Sequence, residues 1–117
     1  MPYAFMEPDF NDLKLFILDN TVVSENELTL NTSVQYDLIL YGDDAIEFLM
    51  KYSERYHVDL SNFMAADYFY GESEVFFSRL VEWLLKKRRK KILTVRHLLK
   101  GIRVGKLDEK VITSITN

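Results

Sequence analysis

The stretch LYGDDAIEFLMKYSERY, residues 40–56, decides how the rest of the chain is read. A glycine and two acids stand in front of a segment whose apolar residues recur three and four apart. That spacing predicts a helix beginning at Asp43 or Asp44, with Ile46, Leu49, Met50 and Tyr56 as its inward stripe and Phe48 and Tyr52 on the flank. Asp44 followed by Glu47 has capping-box spacing, an acid replacing the usual hydroxyl. Adjacent carboxylates can also hold a hard cation or share a proton in acid–base catalysis. No further oxygen ligands lie nearby, and no pocket is visible that would perturb a pKa. Capping and dipole complementation are therefore the expected role of Asp43 and Asp44.

Upstream, Asp9 or Asn11 is expected to cap a helix running to about Asn20, with Phe10, Leu13, Phe16 and Ile17 on one face. Residues 21–40 are polar and interrupted, so Leu28, Leu30 and Val34 read as anchors that pin a long loop to the core. Downstream, the helical pattern breaks around His57, and Ser61 or Asn62 is expected to start a short helix ending near Tyr68. A third long helix is expected over about 72–91. Val75, Phe76, Phe77, Leu80, Val81, Trp83, Leu84 and Leu85 crowd it, more apolar surface than one narrow face holds. Its end carries KKRRKK, residues 86–91, where cations suit the negative end of the helix dipole. Thr94 should cap VRHLLKGI, with Gly101 and Gly105 read as termination signals. The tail from 106 is β-prone but isolated and receives no assignment.

Composition sets the frame. The 117 residues form one domain over 1–117, with 48% hydrophobic residues and only 4 glycines and 2 prolines, which favours helices over an all-β sandwich. Cysteine is absent, which removes disulfides, thiolate ligands and a cysteine nucleophile. Neither a secretory signal nor a membrane-length apolar run is seen, so a soluble cytoplasmic protein is expected. The net charge of −3 conceals a division: residues 1–85 hold 4 Lys/Arg against 16 Asp/Glu, and residues 86–117 hold 11 against 2. Either the halves attract each other across the fold or each presents a face of its own.

The order helix, long loop, acidic helix, short helix, final helix resembles that of an acyl carrier protein. The resemblance rests on LTLNTSVQYDL (28–38), AIEFLMKYSERYHVDL (45–60) and the Thr-Val pair in ILTVRHLLKGI (92–102). More specifically, GDDAIEF with VDLSNF and DYF is similar to a family of small uncharacterised bacterial proteins described as acyl-carrier-like, a domain of unknown function. The resemblance covers about 10–104. It implies an all-α, acyl-carrier-like four-helix bundle with an added long helix, about 72–91, before the last one. Aligned without gaps, the Asp-Ser-Leu motif of a carrier falls on Tyr41-Gly42-Asp43. The serine that would carry phosphopantetheine thus corresponds to Gly42, which has no hydroxyl on which to form the ester.

The expected function is accordingly a non-enzymatic, cofactor-free protein-binding module. In carriers the acidic second helix is what partner enzymes recognise, so the resemblance points to Asp43, Asp44, Glu47 and Glu54 as docking residues. The basic end, Lys86, Lys87, Arg88 and Arg89, with Trp83 beside it, is a second candidate surface, and the 72–91 helix can also serve as a homodimer seam. A true carrier modified at another serine, such as Ser53 or Ser61, is the alternative. Nucleic-acid binding through the basic run is disfavoured, because consecutive cations surround a helix rather than line one face and the chain is acidic overall. His57 and His97 lack HxxxH spacing for zinc, and no GxSxG elbow or phosphate loop is present.

Overall fold

In the computed structural model, residues 6–69 and 91–114 are described, and among them there are four helices and no strands. Helix α1 (Met6–Asn20) starts a few residues before either expected cap. It buries Leu13, Phe16 and Ile17, as the three-four spacing requires, with Phe10 packed at the margin. Asn20 and Thr21 close its end by donating to the Phe16 and Ile17 carbonyls, at 2.8 Å each.

The connection over 21–41 is a pinned loop. A 3-10 turn, Glu25–Glu27, is followed by buried anchors Leu28, Val34, Leu38 and Leu40. Its backbone finds partners in the segment leading to the next long helix. Val34 N donates to Leu93 O (2.7 Å), Val95 N to Thr32 O (3.0 Å) and Arg96 N to Leu30 O (2.9 Å). Between these two segments a single isolated bridge forms, Ser33 with Thr94, so the alternating Leu28-Leu30-Val34 pattern yields no strand.

Helix α2 (Gly42–Tyr56) differs from expectation in two ways. It begins at Gly42 with Tyr41 as a cap of extended backbone and no side-chain capping bond, so Asp43 and Asp44 occupy the first turn instead of capping it. The buried stripe is Ala45, Phe48, Leu49 and Tyr52, whereas Ile46 and Met50 are 47% and 64% exposed. Aromatic area decides the rotation. Phe48 packs 5.3 Å from Phe16, centroid to centroid, and Tyr56 meets Phe16 edge-on at 5.8 Å.

After α2, His57 closes the helix in a left-handed conformation, and the expected short helix reduces to a 3-10 turn, Ala65–Asp67. Asp59 accepts from Ser61 N (2.9 Å) and Phe63 N bonds back to Leu60 O (3.0 Å), so turns satisfy the backbone before a helix can propagate. The expected helix over 72–91 lies outside the described residues except Lys91, which is not helical.

Helix α3 (Val95–Val104) is capped by Thr94 as expected, whose hydroxyl accepts from His97 N at 3.4 Å. Gly105 ends it in the left-handed region at φ 95. Gly101 is not a terminator: it lies buried inside α3, against Tyr52 of α2. The unassigned tail forms a fourth short helix, α4 (Glu109–Thr113), capped by Asp108 accepting from Val111 N at 3.0 Å. Val111 and Ile112 are buried, and Leu107 ahead of them is fully so. Asp59 pairs with Gly105 and Leu107 (3.0 Å each), which ties the end of α2 to the α3–α4 turn.

Candidate functional site

The entrance to α2 is built from unusual backbone. Ile39 has φ 57 and Gly42 has φ 58, three residues apart. Glycine adopts this region freely, whereas a β-branched residue does so only under strain. Gly42 therefore serves the geometry of the helix start. A serine there is expected to cost about 1–2 kcal/mol of stability, from the left-handed conformation alone. Urea unfolding of Gly42→Ser, compared with Gly42→Ala, checks this: both should lose stability by a similar amount.

From that start, α2 presents Asp43, Asp44, Glu47 and Glu54 to solvent, with the exposed Ile46 and Met50 among them. All four predicted acids of the helix thus share one outward region. Glu47 pairs with Lys51 at 3.5 Å (i, i+4), and Lys51 also donates to Asn20 of α1 at 3.4 Å. These contacts are exposed and weak individually. Beside them runs a cleft of about 370 Å³, bounded by Asn20–Val22, by Leu38–Tyr41 and by Asp44, Glu47, Phe48 and Lys51 of α2.

Beside the exposed Glu54, Arg55 and Tyr56 brace the far end of α2 against α1. Arg55 donates twice to Asp12 of α1 (Nε–Oδ2 3.2 Å, Nη2–Oδ1 2.8 Å), and the Tyr56 hydroxyl donates to the same carboxylate at 2.6 Å. The Arg55 bonds first, then the Tyr56 bond, hold the Asp12 carboxyl below its ordinary 3.8. A carboxylate lowered in the folded state stabilises above the unfolded value and loses that contribution as pH falls through the folded one. Asp12→Asn should therefore flatten the dependence of unfolding free energy on pH below about 4, with little change in slope near neutrality, as followed by urea denaturation across pH.

Nothing in the sequence marks Gln35. It is buried, its Nε2 donating to Tyr68 O (2.9 Å) and to Lys91 O, and its Oε1 accepting from Leu93 N (3.0 Å). One amide thus joins the chain on both sides of 70–90. Lys91 N donates to Asp67 O (2.9 Å), and Lys91 Nζ approaches Glu109 (3.3 Å) and Asp67 (3.9 Å). Tyr68 donates to Glu109 at 2.8 Å, which lowers that carboxyl while burial raises the phenol. The last cation of KKRRKK is therefore spent on internal acids. Trp83, Lys86, Lys87, Arg88 and Arg89 lie outside the described residues.

The histidines are structural in position. His57 caps α2, and His97 Nδ1 accepts from Thr94 N (3.0 Å), with burial lowering its pKa. Among the described residues, no three His, Asp or Glu side chains are grouped to hold a metal ion, and no helix is long and apolar enough to cross a membrane. The rim of the cleft, Val22, Ile39 and Tyr41, was also missed. Only an apolar residue beside a glycine in LILYG hints at it.

No curated protein and no solved structure matches the chain significantly. A family model does match, and it covers residues 3–107, which includes both the α2 surface and the Gln35 clamp. The chain belongs to the family described as protein of unknown function (DUF1493).

Proposed function

We propose that this protein is an acyl-carrier-like module without a prosthetic group, which binds a protein partner through the outward face of α2. The observation that carries the reading is that face itself: Asp43, Asp44, Glu47 and Glu54 are exposed around Ile46 and Met50, which are large apolar residues left out of the core. Charged groups steer an encounter and apolar ones supply contact area, so the combination suits docking better than a merely solvated helix does.

The carrier-like part of the proposal draws support from order and conformation. A long anchored loop leads into an acidic helix, and a Thr-capped helix returns near the end. Gly42, at the place of the carrier serine, lacks a hydroxyl and has a backbone that favours glycine. Ser53, the nearest alternative hydroxyl, donates to Val58 O at 2.6 Å and helps close α2, which disfavours it as an attachment point.

Two measurements test the proposal together. Incubation with coenzyme A and a phosphopantetheinyl transferase should leave the intact mass unchanged; a gain of the phosphopantetheine mass would overturn the cofactor-free reading. Mixing with carrier-dependent enzymes should give a complex that co-elutes with at least one of them and dissolves in high salt. The absence of any complex would remove the docking role.

A further inference from the structure

The cleft beside α2 offers more than charge. Its inner wall is buried and apolar, formed by Leu38, Leu40 and Phe48. Its rim carries Val22, Ile39 and Tyr41, which are 84%, 60% and 39% exposed. Leu38 and Leu40 turn inward while Ile39 between them stays in solvent, in a left-handed conformation that a β-branched residue adopts only at a cost. The cleft volume of about 370 Å³ is enough for one bulky apolar side chain.

Resting on the docking role of α2, we propose that this cleft receives a leucine-sized or aromatic side chain of a basic protein segment, while cations of the same segment pair with Asp44 and Glu47. Charge selects the class of partner. Arg55 is held by Asp12, and Lys51 is shared between Glu47 and Asn20. Asp43, Asp44 and Glu54 have no cation within ion-pair distance among the described residues. An acidic segment is repelled here, and a purely apolar one would strip water from unpaired carboxylates. A segment with both cations and a bulky apolar side chain satisfies the wall and the rim together. Ile39 then acts as the grip at the cleft mouth, and its strain holds an apolar side chain where the fold itself has no use for it.

The test uses the full chain and a dye-labelled synthetic peptide of leucine and lysine with one tryptophan, followed by fluorescence polarisation. The double substitution Ile39→Gly with Val22→Ser should weaken binding about tenfold or more. Ile39→Gly alone should raise the melting temperature, because glycine relieves the positive φ, so lost binding is not lost folding. A peptide with its apolar residues changed to serine should bind more weakly and ignore the Ile39 change. If Asp44→Lys with Glu47→Lys abolishes binding while Ile39→Gly with Val22→Ser leaves it intact, α2 docks partners but the cleft does not anchor them. If neither pair matters, the docking face is wrong as well.

Discussion

Gly101→Ala is expected to destabilise the protein by about 2–4 kcal/mol, a loss set by overpacking and by a displaced hydroxyl. A Cβ at Gly101 would stand 2.5 Å from the Tyr52 hydroxyl and 3.3 Å from a Leu107 methyl. Tyr52 is fully buried and donates to Leu98 O at 2.6 Å, so it has nowhere to move without leaving a polar group unpaired. The better helix propensity of alanine returns only about 1 kcal/mol. Thermal denaturation should show a fall in Tm of roughly 10–20 °C for a domain of this size. Tyr52→Phe should cost about 1 kcal/mol by itself, since it removes one hydrogen bond and adds no cavity. The double variant is expected to be more stable than Gly101→Ala, because the obstructing oxygen is gone. If the double variant merely sums the two losses, α2 and α3 do not meet as described.

Gln35→Leu is expected to cost about 3–5 kcal/mol, a large effect for one loop residue, because three backbone partners lose their bonds to a buried amide together. Leu93 N loses its acceptor, and the carbonyls of Tyr68 and Lys91 lose their shared donor. Apolar volume is nearly kept, so the loss reports polar satisfaction and not packing. Gln35→Glu should not rescue it, since a carboxylate cannot donate to two carbonyls. Urea unfolding measures the size of the effect. Hydrogen exchange measures its location: the Leu93 and Lys91 amides should exchange faster than those of α1. Uniform acceleration across the chain would deny Gln35 its local role.

The elements legible in the sequence were those with one dominant apolar stripe. Leu13, Phe16 and Ile17 gave α1, and Thr94 with Val95, Leu98 and Leu99 gave α3. Helix α2 was legible as a helix but not in its orientation. It carries two apolar stripes, and Phe48 and Tyr52 take the core because Phe16 and Leu98 receive them. The same competition left Ile46 and Met50 outside, so the apolar part of the proposed docking face is read from the fold and not from the sequence. Helix α4 has five residues, too few to form by propensity; tertiary burial of Val111 and Ile112 sustains it. Gln35 was unreadable because nothing in VQYD distinguishes a buried amide from an exposed one. The four acids of the site were legible from α2 alone, whereas the cleft depends on a loop and a helix end distant in sequence.

In the proposed role, α2 binds a protein partner through its exposed acids and apolar residues. Calorimetric titration of the full chain with a carrier-dependent enzyme that co-elutes with it tests this most directly, run beside Asp44→Lys with Glu47→Lys and, separately, Met50→Ser. These positions are exposed and outside the core, so all variants should fold. Met50→Ser should keep the wild-type melting temperature, while the charge reversal, which places a cation in the first turn of α2 and ends the Glu47–Lys51 pair, should cost about 1–2 kcal/mol. Charge reversal is expected to weaken binding by about tenfold or more, about 1.4 kcal/mol, and Met50→Ser to weaken it several-fold. Unchanged affinity in both variants, with the fold intact, would contradict the proposed role.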